Sequence, residues 1–262
     1  MIAPRTHHLS VSPVVTRTGR RYRILRAIPS SPPPSSGFPV LYLLDGQAAF
    51  TSLSDESLVQ TPGLALIGIA HDDDRLFAVR ERWLDYTPAG RPDRVLQPDG
   101  PHGSGTSPTG GAAAFLHTLR GELRDEAERG IAIDPNRRSL WGHSLGGLFV
   151  LYALFADHAA FHGHIPVSPS LWWGGTMIQA LETACRPTPP PAPVLIMLGD
   201  REQRQDRSFP APETLALIAR LRGRSDIAVS ERLFTGAGHR DALDASLPFA
   251  LAFAAGLDSP AA

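Results

Sequence analysis

The chain has 262 residues, one cysteine and a formal net charge of -1 at pH 7, and its basic residues other than histidine are all arginine. This length suits one large α/β domain or two small ones, and it is enough to bury a core. The near-neutral charge opposes nucleic-acid binding through phosphate contacts and polybasic attachment to a membrane. The lone cysteine, Cys185, permits neither an internal disulfide nor a cysteine-ligated metal site.

Residues 1–12 do not resemble a targeting signal, because they are polar and carry His7 and His8 where a signal peptide would be apolar. No run reaches the ~20 apolar residues that a membrane span requires. We therefore expect no membrane span and a cytoplasmic protein, or a periplasmic one if a signal peptide has been removed.

Short apolar runs alternate with amphipathic stretches along the chain. Strands are predicted at residues 21–28, 40–44, 64–70, 138–141, 194–198 and 227–233, and helices at 112–129, 148–155, 214–221 and 242–257. Three Pro- and Gly-rich stretches are predicted to be loops, at 29–39, 87–111 and 186–193. Continuous apolar strands between helices indicate a parallel sheet that is covered on both faces. The sequence therefore predicts a doubly wound, mostly parallel α/β fold.

Residues 142–146 read GHSLG and match the pattern G-x-S-x-G. The pattern follows a predicted strand and opens an apolar helix, which is the setting of a nucleophile elbow. Crowding in such a turn requires small residues, which explains Gly142 and Gly146, and Gly147 adds a third at the helix start. The turn is expected to expose the Ser144 hydroxyl and to point free helix N–H groups at the reacting oxygen. The alternative is a glycine-rich turn with an incidental serine.

A nucleophilic serine needs a base. In enzymes with a nucleophile elbow, the base follows the serine along the chain. The histidines after Ser144 are His158, His162, His164 and His239. His239 lies in the loop between the last predicted strand and the last predicted helix, so its imidazole can reach the serine. The alternative is a loop histidine that caps the last helix. We expect the other three to be structural or surface residues.

The acid that orients the base is expected just after the strand at 194–198, where the chain carries Asp200 and Glu202. The residues alone do not separate these two candidates. Either one has an alternative role in a surface ion pair with Arg201 or Arg204.

An oxyanion formed during acyl transfer needs two N–H donors. Leu145, the residue after the expected nucleophile, supplies one of them. The other is expected from the loop after the strand at 40–44, where Gly46 permits a turn. The Gln47 amide is the expected donor, and the Gly46 amide is the alternative.

Several segments together resemble the siderophore esterases of a broad bacterial esterase family. They are LYLLDGQAAF, RERWLDYTPAG, IDPNRRSLWGHSLGGLFVLYAL, SPSLWW, GDRE and GAGH, in this order along the chain. The resemblance extends from about residue 40 to the final helix, and residues 133–154 are its most specific part.

This resemblance implies an α/β-hydrolase fold, which we expect to be a single domain over residues 1–262. It implies a serine esterase that forms an acyl-enzyme and opens the ester (lactone) bonds of a catecholate siderophore such as enterobactin. By motif, Ser144 corresponds to the nucleophile and His239 to the base. The Gly-x-x-Glu pattern favours Glu202 over Asp200 as the acid, and a Ser–His dyad without a carboxylate is the alternative.

The resemblance also implies residues that contact the substrate. Arg82 corresponds to a substrate-anchoring arginine, with an ion pair to Glu81 or Asp85 as the alternative. Trp172 and Trp173 would suit a catechol ring, with one in the core and the other lining the pocket. The run at 71–74 (HDDD) is interpreted as a solvated loop and not as a metal site.

Three functions are therefore considered. The first is hydrolysis of a siderophore ester, either ferric or iron-free, and the second is general carboxylesterase or acyl hydrolase activity. The third is binding by a catalytically silent protein with a hydrolase fold, because one fold hosts many functions. No metal, other cofactor or nucleic-acid partner is expected.

Overall fold

The computed structural model describes residues 6–90, 94–97, 105–186, 190–202 and 212–257. The strands in these ranges are β1 His7–Val15, β2 Arg21–Pro29, β3 Phe38–Leu44, β4 Ala65–His71, β5 Arg94–Gln97, β6 Gly105–Pro108, β7 Ile133–His143, β8 Gly163–Val167, β9 Ala192–Gly199 and β10 Ile227–Phe234. The helices are α1 Gly46–Ser52, α2 Asp55–Gln60, α3 Val79–Tyr86, α4 Ala112–Thr118, α5 Arg124–Ala127, α6 Leu145–Ala156, α7 Leu171–Ala184, α8 Pro212–Arg222 and α9 Asp241–Ala255.

Within the described residues, eight strands form one sheet in the order β1-β2-β4-β3-β7-β8-β9-β10. The pairs β1–β2 and β2–β4 are antiparallel, and every later neighbour in the order is parallel. The predicted mostly parallel, doubly wound sheet is therefore confirmed. Six neighbouring strands of this sheet point the same way, namely β4, β3, β7, β8, β9 and β10, so their carboxyl ends meet along one edge.

Helices cover both faces of this sheet, which explains why β3 and β4 are buried along their whole length. Alternate residues point to opposite faces: Tyr42 and Leu140 pack with helices α3, α4, α6, α7 and α8, whereas Leu41 and Trp141 pack with α1, α2 and α9. No helix in the described ranges is both long and apolar enough to cross a membrane.

The predicted strands are all present, but the helix predicted at 112–129 is not regular. Helix α4 continues into a wider π turn at Leu119–Leu123 and then into α5, and Gly121 inside that turn has non-helical dihedral angles (φ -104°, ψ -105°). The predicted apolar stripe is nevertheless buried, at Phe115, Leu116, Leu119 and Leu123.

The loop predicted at 87–111 is partly wrong, because β5 and β6 pair there as an antiparallel hairpin. Positions 91–93 and 98–104 of that stretch lie outside the described residues, as do positions 187–189 of the loop predicted at 186–193. Strand β1 was not predicted, because its residues lack a continuous apolar run. It is an edge strand with mostly exposed side chains and a proline, Pro13, as edge strands tolerate.

Candidate active site

The functional residues expected from the sequence gather at the carboxyl edge of the sheet. Ser144 lies between β7 and α6 with a positive φ of 61°. Its backbone N–H donates to the carbonyl of Val167 at the end of β8, over 2.9 Å. A serine in this strained conformation persists only where its surroundings hold it, and here it directs the hydroxyl out of the sheet.

The glycines around Ser144 are not equally constrained. A Cβ added to Gly142 would lie 2.5 Å from the carbonyl group of Gly146, and one added to Gly147 would lie 2.7 Å from the carbonyl oxygen of Val167. A Cβ on Gly146 would meet its nearest neighbour at 3.6 Å, which is an ordinary contact. Crowding by the backbone therefore requires glycine at Gly142 and Gly147, whereas at Gly146 the turn leaves room for one more carbon atom.

Ser144, His239 and Glu202 form a continuous chain of hydrogen bonds. His239 Nε2 lies 3.0 Å from Ser144 Oγ, and His239 Nδ1 lies 2.9 Å from Glu202 Oε2. Because an ionised carboxylate only accepts, Nδ1 carries the proton and Nε2 is left to accept from the serine hydroxyl. This arrangement is the one that general-base activation of a serine requires.

Glu202 is 1% exposed, and its second oxygen is also occupied. Oε1 accepts from the Gly199 N–H at 2.7 Å and from the Ser168 hydroxyl. These donors fix the carboxylate beside the His239 ring and compensate for the loss of water around its charge.

Asp200 lies close by but contacts the loop and not the ring. Its Oδ1 accepts from the Gly236 N–H at 2.6 Å, which ties the segment before His239 to the end of β9. Among the described residues, Arg201 makes no ion pair with either acid, and Arg204 lies outside them. The structure thus brings Glu202 to the histidine and assigns Asp200 to the loop backbone.

The other histidines after Ser144 lie near the opposite edge of the sheet. His158 opens a short 3-10 turn at His158–Ala160, and His162 immediately precedes β8. His164 is fully buried in β8, its ring nitrogens have no hydrogen-bond partner among the described residues, and burial lowers its pKa to about 3. None of these three reaches Ser144 through any described hydrogen bond.

The expected oxyanion donors lie at the first turns of two neighbouring helices. Leu145 opens α6, and Gly46 and Gln47 open α1. First-turn N–H groups have no acceptor within their own helix and form its positive end. A Cβ on Gly146 would lie 3.7 Å from Asp45 Oδ2, so the two helix starts adjoin.

Arg82 is largely buried, and its Nε donates to Asp45 Oδ1 at 2.7 Å. Its guanidinium also lies over the rings of Phe77 and Tyr86, at 5.0 Å and 5.8 Å from their centroids. The alternative of an ion pair with Glu81 or Asp85 is wrong. No described residue accepts a hydrogen bond from the two terminal amino groups of Arg82.

The two adjacent tryptophans have different environments. Trp173 is 7% exposed and Trp172 is 38% exposed. Trp83 contacts both edge-to-face, at centroid distances of 5.2 Å and 6.3 Å. Trp172 lines an open groove of about 340 Å³ between α7 and α8, whereas Trp173 belongs to the core.

The acidic run after β4 is engaged in ion pairs. Asp72 pairs with Arg21 at 2.8 Å, Asp73 with Arg75, and His71 Nε2 lies 2.9 Å from Asp85 Oδ2. In the described part of the chain, no group of three or more histidine, cysteine, aspartate or glutamate side chains is arranged to hold a metal ion.

Two side chains at the site were not singled out from the sequence. Ser170 Oγ lies 3.2 Å from Ser144 Oγ, and its N–H donates to the Ser144 carbonyl at 3.1 Å. His143, which occupies the unspecified position before the serine in G-x-S-x-G, contacts the His239 backbone. The SPS segment was a signal for Ser170, but no local pattern marks a partner for His143.

Comparison with known proteins places the chain in a family. It matches the protein-family model described as "Putative esterase" over residues 15–229. It is 30% identical over 259 residues to the ferri-bacillibactin esterase BesA of Bacillus subtilis, a match covering 92% of this chain and 87% of that protein.

Solved structures agree with this match. The enterobactin and salmochelin hydrolase IroE has a TM-score of 0.78 and 28% identity, over 96% of each chain. The complex of IroE with DFP has a TM-score of 0.78 and 29% identity, over 95% of this chain and 96% of that one. The chain therefore has the α/β-hydrolase fold and belongs to the esterase family whose model it matches.

Proposed function

We propose that this chain is a serine esterase that opens the ester bonds of a catecholate siderophore through an acyl-enzyme on Ser144. The hydrogen-bonded chain from Ser144 through His239 to Glu202 is the observation that carries the proposal. The substrate class is supported by the relatives, which are named as esterases or hydrolases of bacillibactin, enterobactin and salmochelin.

In the first half of the reaction, Ser144 Oγ attacks the ester carbonyl while His239 Nε2 takes its proton. The Glu202 carboxylate stabilises the resulting imidazolium and keeps the ring in the required tautomer. The oxyanion is held by the N–H groups of Leu145 and Gln47. The intermediate then collapses, the ester C–O bond breaks, and the imidazolium protonates the leaving alkoxide.

In the second half, water replaces the alcohol. His239 takes a proton from the water as it attacks the acyl-enzyme carbonyl, and a second oxyanion forms at the same N–H groups. Collapse breaks the bond to Ser144 Oγ, which recovers its proton from His239. Each cycle consumes one water and hydrolyses one ester bond, so no external cofactor is required.

Two side chains are proposed to recognise the substrate. The terminal amino groups of Arg82 are the part of that side chain left for hydrogen bonds to catecholate oxygens. Trp172 exposes an aromatic face beside the segment that carries Ser170, which suits a catechol ring. We propose no such role for the buried Trp173.

The alternatives make different demands on the site. A catalytically silent binding protein has no need for a buried carboxylate aligned on a histidine that reaches a strained serine. A general carboxylesterase would use the same catalytic groups, but its relatives would not be expected to share a siderophore substrate.

The test compares wild-type protein with the Ser144→Ala variant on ferric enterobactin, iron-free enterobactin and p-nitrophenyl acetate. We expect loss of several orders of magnitude in kcat in the variant, and labelling of the wild-type Ser144 by a fluorophosphonate. Hydrolysis by Ser144→Ala at the wild-type rate would refute the nucleophile. A higher kcat/KM for p-nitrophenyl acetate than for both siderophore forms would favour the general carboxylesterase.

A further inference from the structure

His143 is a buried, titratable residue that the proposed reaction does not use. It is the last residue of β7, it directly precedes Ser144, and it is 5% exposed. Its Nε2 lies 2.7 Å from the backbone carbonyl oxygen of His239. Because a carbonyl oxygen only accepts, Nε2 must carry the proton and donate it.

The two histidine rings also contact each other, with centroids 4.6 Å apart and planes inclined by 44°. Burial, reinforced by the neighbouring His239, lowers the pKa of His143 to about 3. His143 is therefore neutral whenever the enzyme is folded near neutral pH. A neutral neighbour is required here, because a second cation would oppose the imidazolium that His239 becomes during the reaction.

His239 needs such a contact because it lies in a loop. Its side chain is 42% exposed, and Gly236 and Gly238 precede it. Asp200 holds the Gly236 N–H, and Asp241 accepts from the Gly238 N–H at 2.9 Å. These contacts hold the chain before His239. Among the described residues, the group that donates to the carbonyl of His239 itself is the Nε2–H of His143.

We infer that His143 is a positioning residue: its neutral Nε2–H holds the His239 carbonyl so that the His239 ring stays within hydrogen-bond distance of Ser144. Glu202 fixes the far side of the same ring, at Nδ1. The base is thus held at its backbone and at its ring. This inference rests on the proposed function, because it assigns His239 the role of base.

The test uses two amides that differ by one methylene. His143→Gln places an N–H donor at about the distance of Nε2 from the backbone, whereas His143→Asn falls short of the His239 carbonyl. With p-nitrophenyl acetate as substrate, we expect His143→Asn to lower kcat about 10–100-fold, since small displacements of a catalytic group have effects of this size. KM should change by less than about twofold, and His143→Gln should recover most of the lost kcat.

His164→Leu is the matched control, because it replaces another buried histidine in the same sheet that makes no described contact with the site. We expect it to keep the wild-type kcat. Thermal unfolding of each variant shows whether the fold is intact at the assay temperature.

Three results would overturn the inference: wild-type kcat in His143→Asn, equal kcat losses in the Asn and Gln variants, or an effect confined to KM. The proposed function fails separately. If Ser144→Ala stayed active, the proposed function would be wrong whatever the His143 variants showed. If Ser144→Ala were inactive and His143→Asn fully active, only the positioning role would be lost.

Discussion

At the scale of single residues, the two acids that follow β9 hold different atoms. Glu202 accepts from the ring of His239, and Asp200 accepts from the backbone of Gly236. An acid that orients the base affects the reaction through the tautomer of the ring, whereas an acid that holds the loop needs only an acceptor oxygen.

Glu202→Gln is therefore expected to lower kcat by roughly 10²–10⁴-fold, because a neutral amide can present its NH₂ group to Nδ1 and stabilise the wrong tautomer. Asp200→Asn keeps an acceptor oxygen for the Gly236 N–H and should cost less than about tenfold. Steady-state kinetics on p-nitrophenyl acetate measure both. A larger loss in Asp200→Asn would reverse the assignment, and small, equal losses would support a Ser144–His239 dyad.

Arg82 has one observed contact, with Asp45, and one proposed contact, with the substrate, and the effects of the two can be separated. Its guanidinium pairs through Nε with the buried Asp45, which lies at the start of α1 with a positive φ of 50°, and its terminal amino groups donate to no described residue. These terminal groups are the ones that we propose bind the substrate. Loss of the Arg82–Asp45 pair would leave the buried Asp45 carboxylate unpaired beside the expected oxyanion donors. It should therefore slow the hydrolysis of every ester.

Arg82→Ala is expected to lower kcat/KM for a trilactone siderophore by about one to two orders of magnitude, as the loss of a charge-assisted hydrogen bond predicts. The loss on p-nitrophenyl acetate should be smaller, since this ester has no group that reaches the arginine. The quantity to measure is the ratio of the two losses. Equal losses would show that Arg82 acts only by pairing with Asp45. Unchanged activity on both esters would contradict both the effect of this pair and the substrate contact.

At the scale of elements, the turn from β7 to α6 is built by close backbone approaches. Gly142 and Gly147 face carbonyl groups at distances that exclude a Cβ, whereas Gly146 does not. The G-x-S-x-G pattern therefore contains one glycine that the turn geometry requires and one that it tolerates.

Gly142→Ala should lower the free energy of unfolding by about 1–3 kcal/mol or more, because a methyl group is forced against backbone that cannot move freely. Gly146→Ala is the matched control in the same turn, and it should leave the free energy of unfolding within about 0.5 kcal/mol of wild type. Urea unfolding measures both. Equal destabilisation by the two changes would show that crowding does not distinguish these positions.

At the scale of the whole molecule, the sheet order brings distant segments to one edge. Gly46 follows β3, Ser144 follows β7, Ser168 follows β8, and Glu202 and His239 follow β9 and β10. Each of these five strands is followed by one residue of the candidate site, and their parallel orientation places all of these residues at the same edge of the sheet. This is the crevice at which open α/β sheets bind their ligands.

The buried histidines also affect stability of the whole fold. His164 takes up a proton in the unfolded chain below its ordinary pKa of 6.5, but in the folded protein only near pH 3. Between these values the unfolded state binds more protons, so stability falls as the pH is lowered. His143 has the same direction of shift and adds to the effect.

His164→Leu should therefore flatten the pH dependence of the free energy of unfolding below about pH 6.5, by up to about 1.4 kcal/mol per pH unit. Urea unfolding of wild type and variant at pH 5, 6 and 7 gives the two slopes. Parallel slopes would contradict a neutral His164 in the folded protein.

The sequence by itself determined the features that are contiguous along the chain. Continuous apolar runs indicate buried parallel strands, and the strand–GHSLG–helix order indicates the elbow at Ser144, because both signals arise from neighbouring residues. The position of His239 between a strand and the last helix was a signal of the same local kind.

Only the tertiary structure decided which distant partners meet. Arg82 pairs with Asp45, 37 residues away, and His143 contacts His239 across 96 residues. The contact of Glu202, and not Asp200, with the His239 ring depends on how β9 and β10 lie side by side. Local periodicity does not encode such pairings, because they follow from the order in which the strands assemble into the sheet and from the packing of the loops at its carboxyl edge.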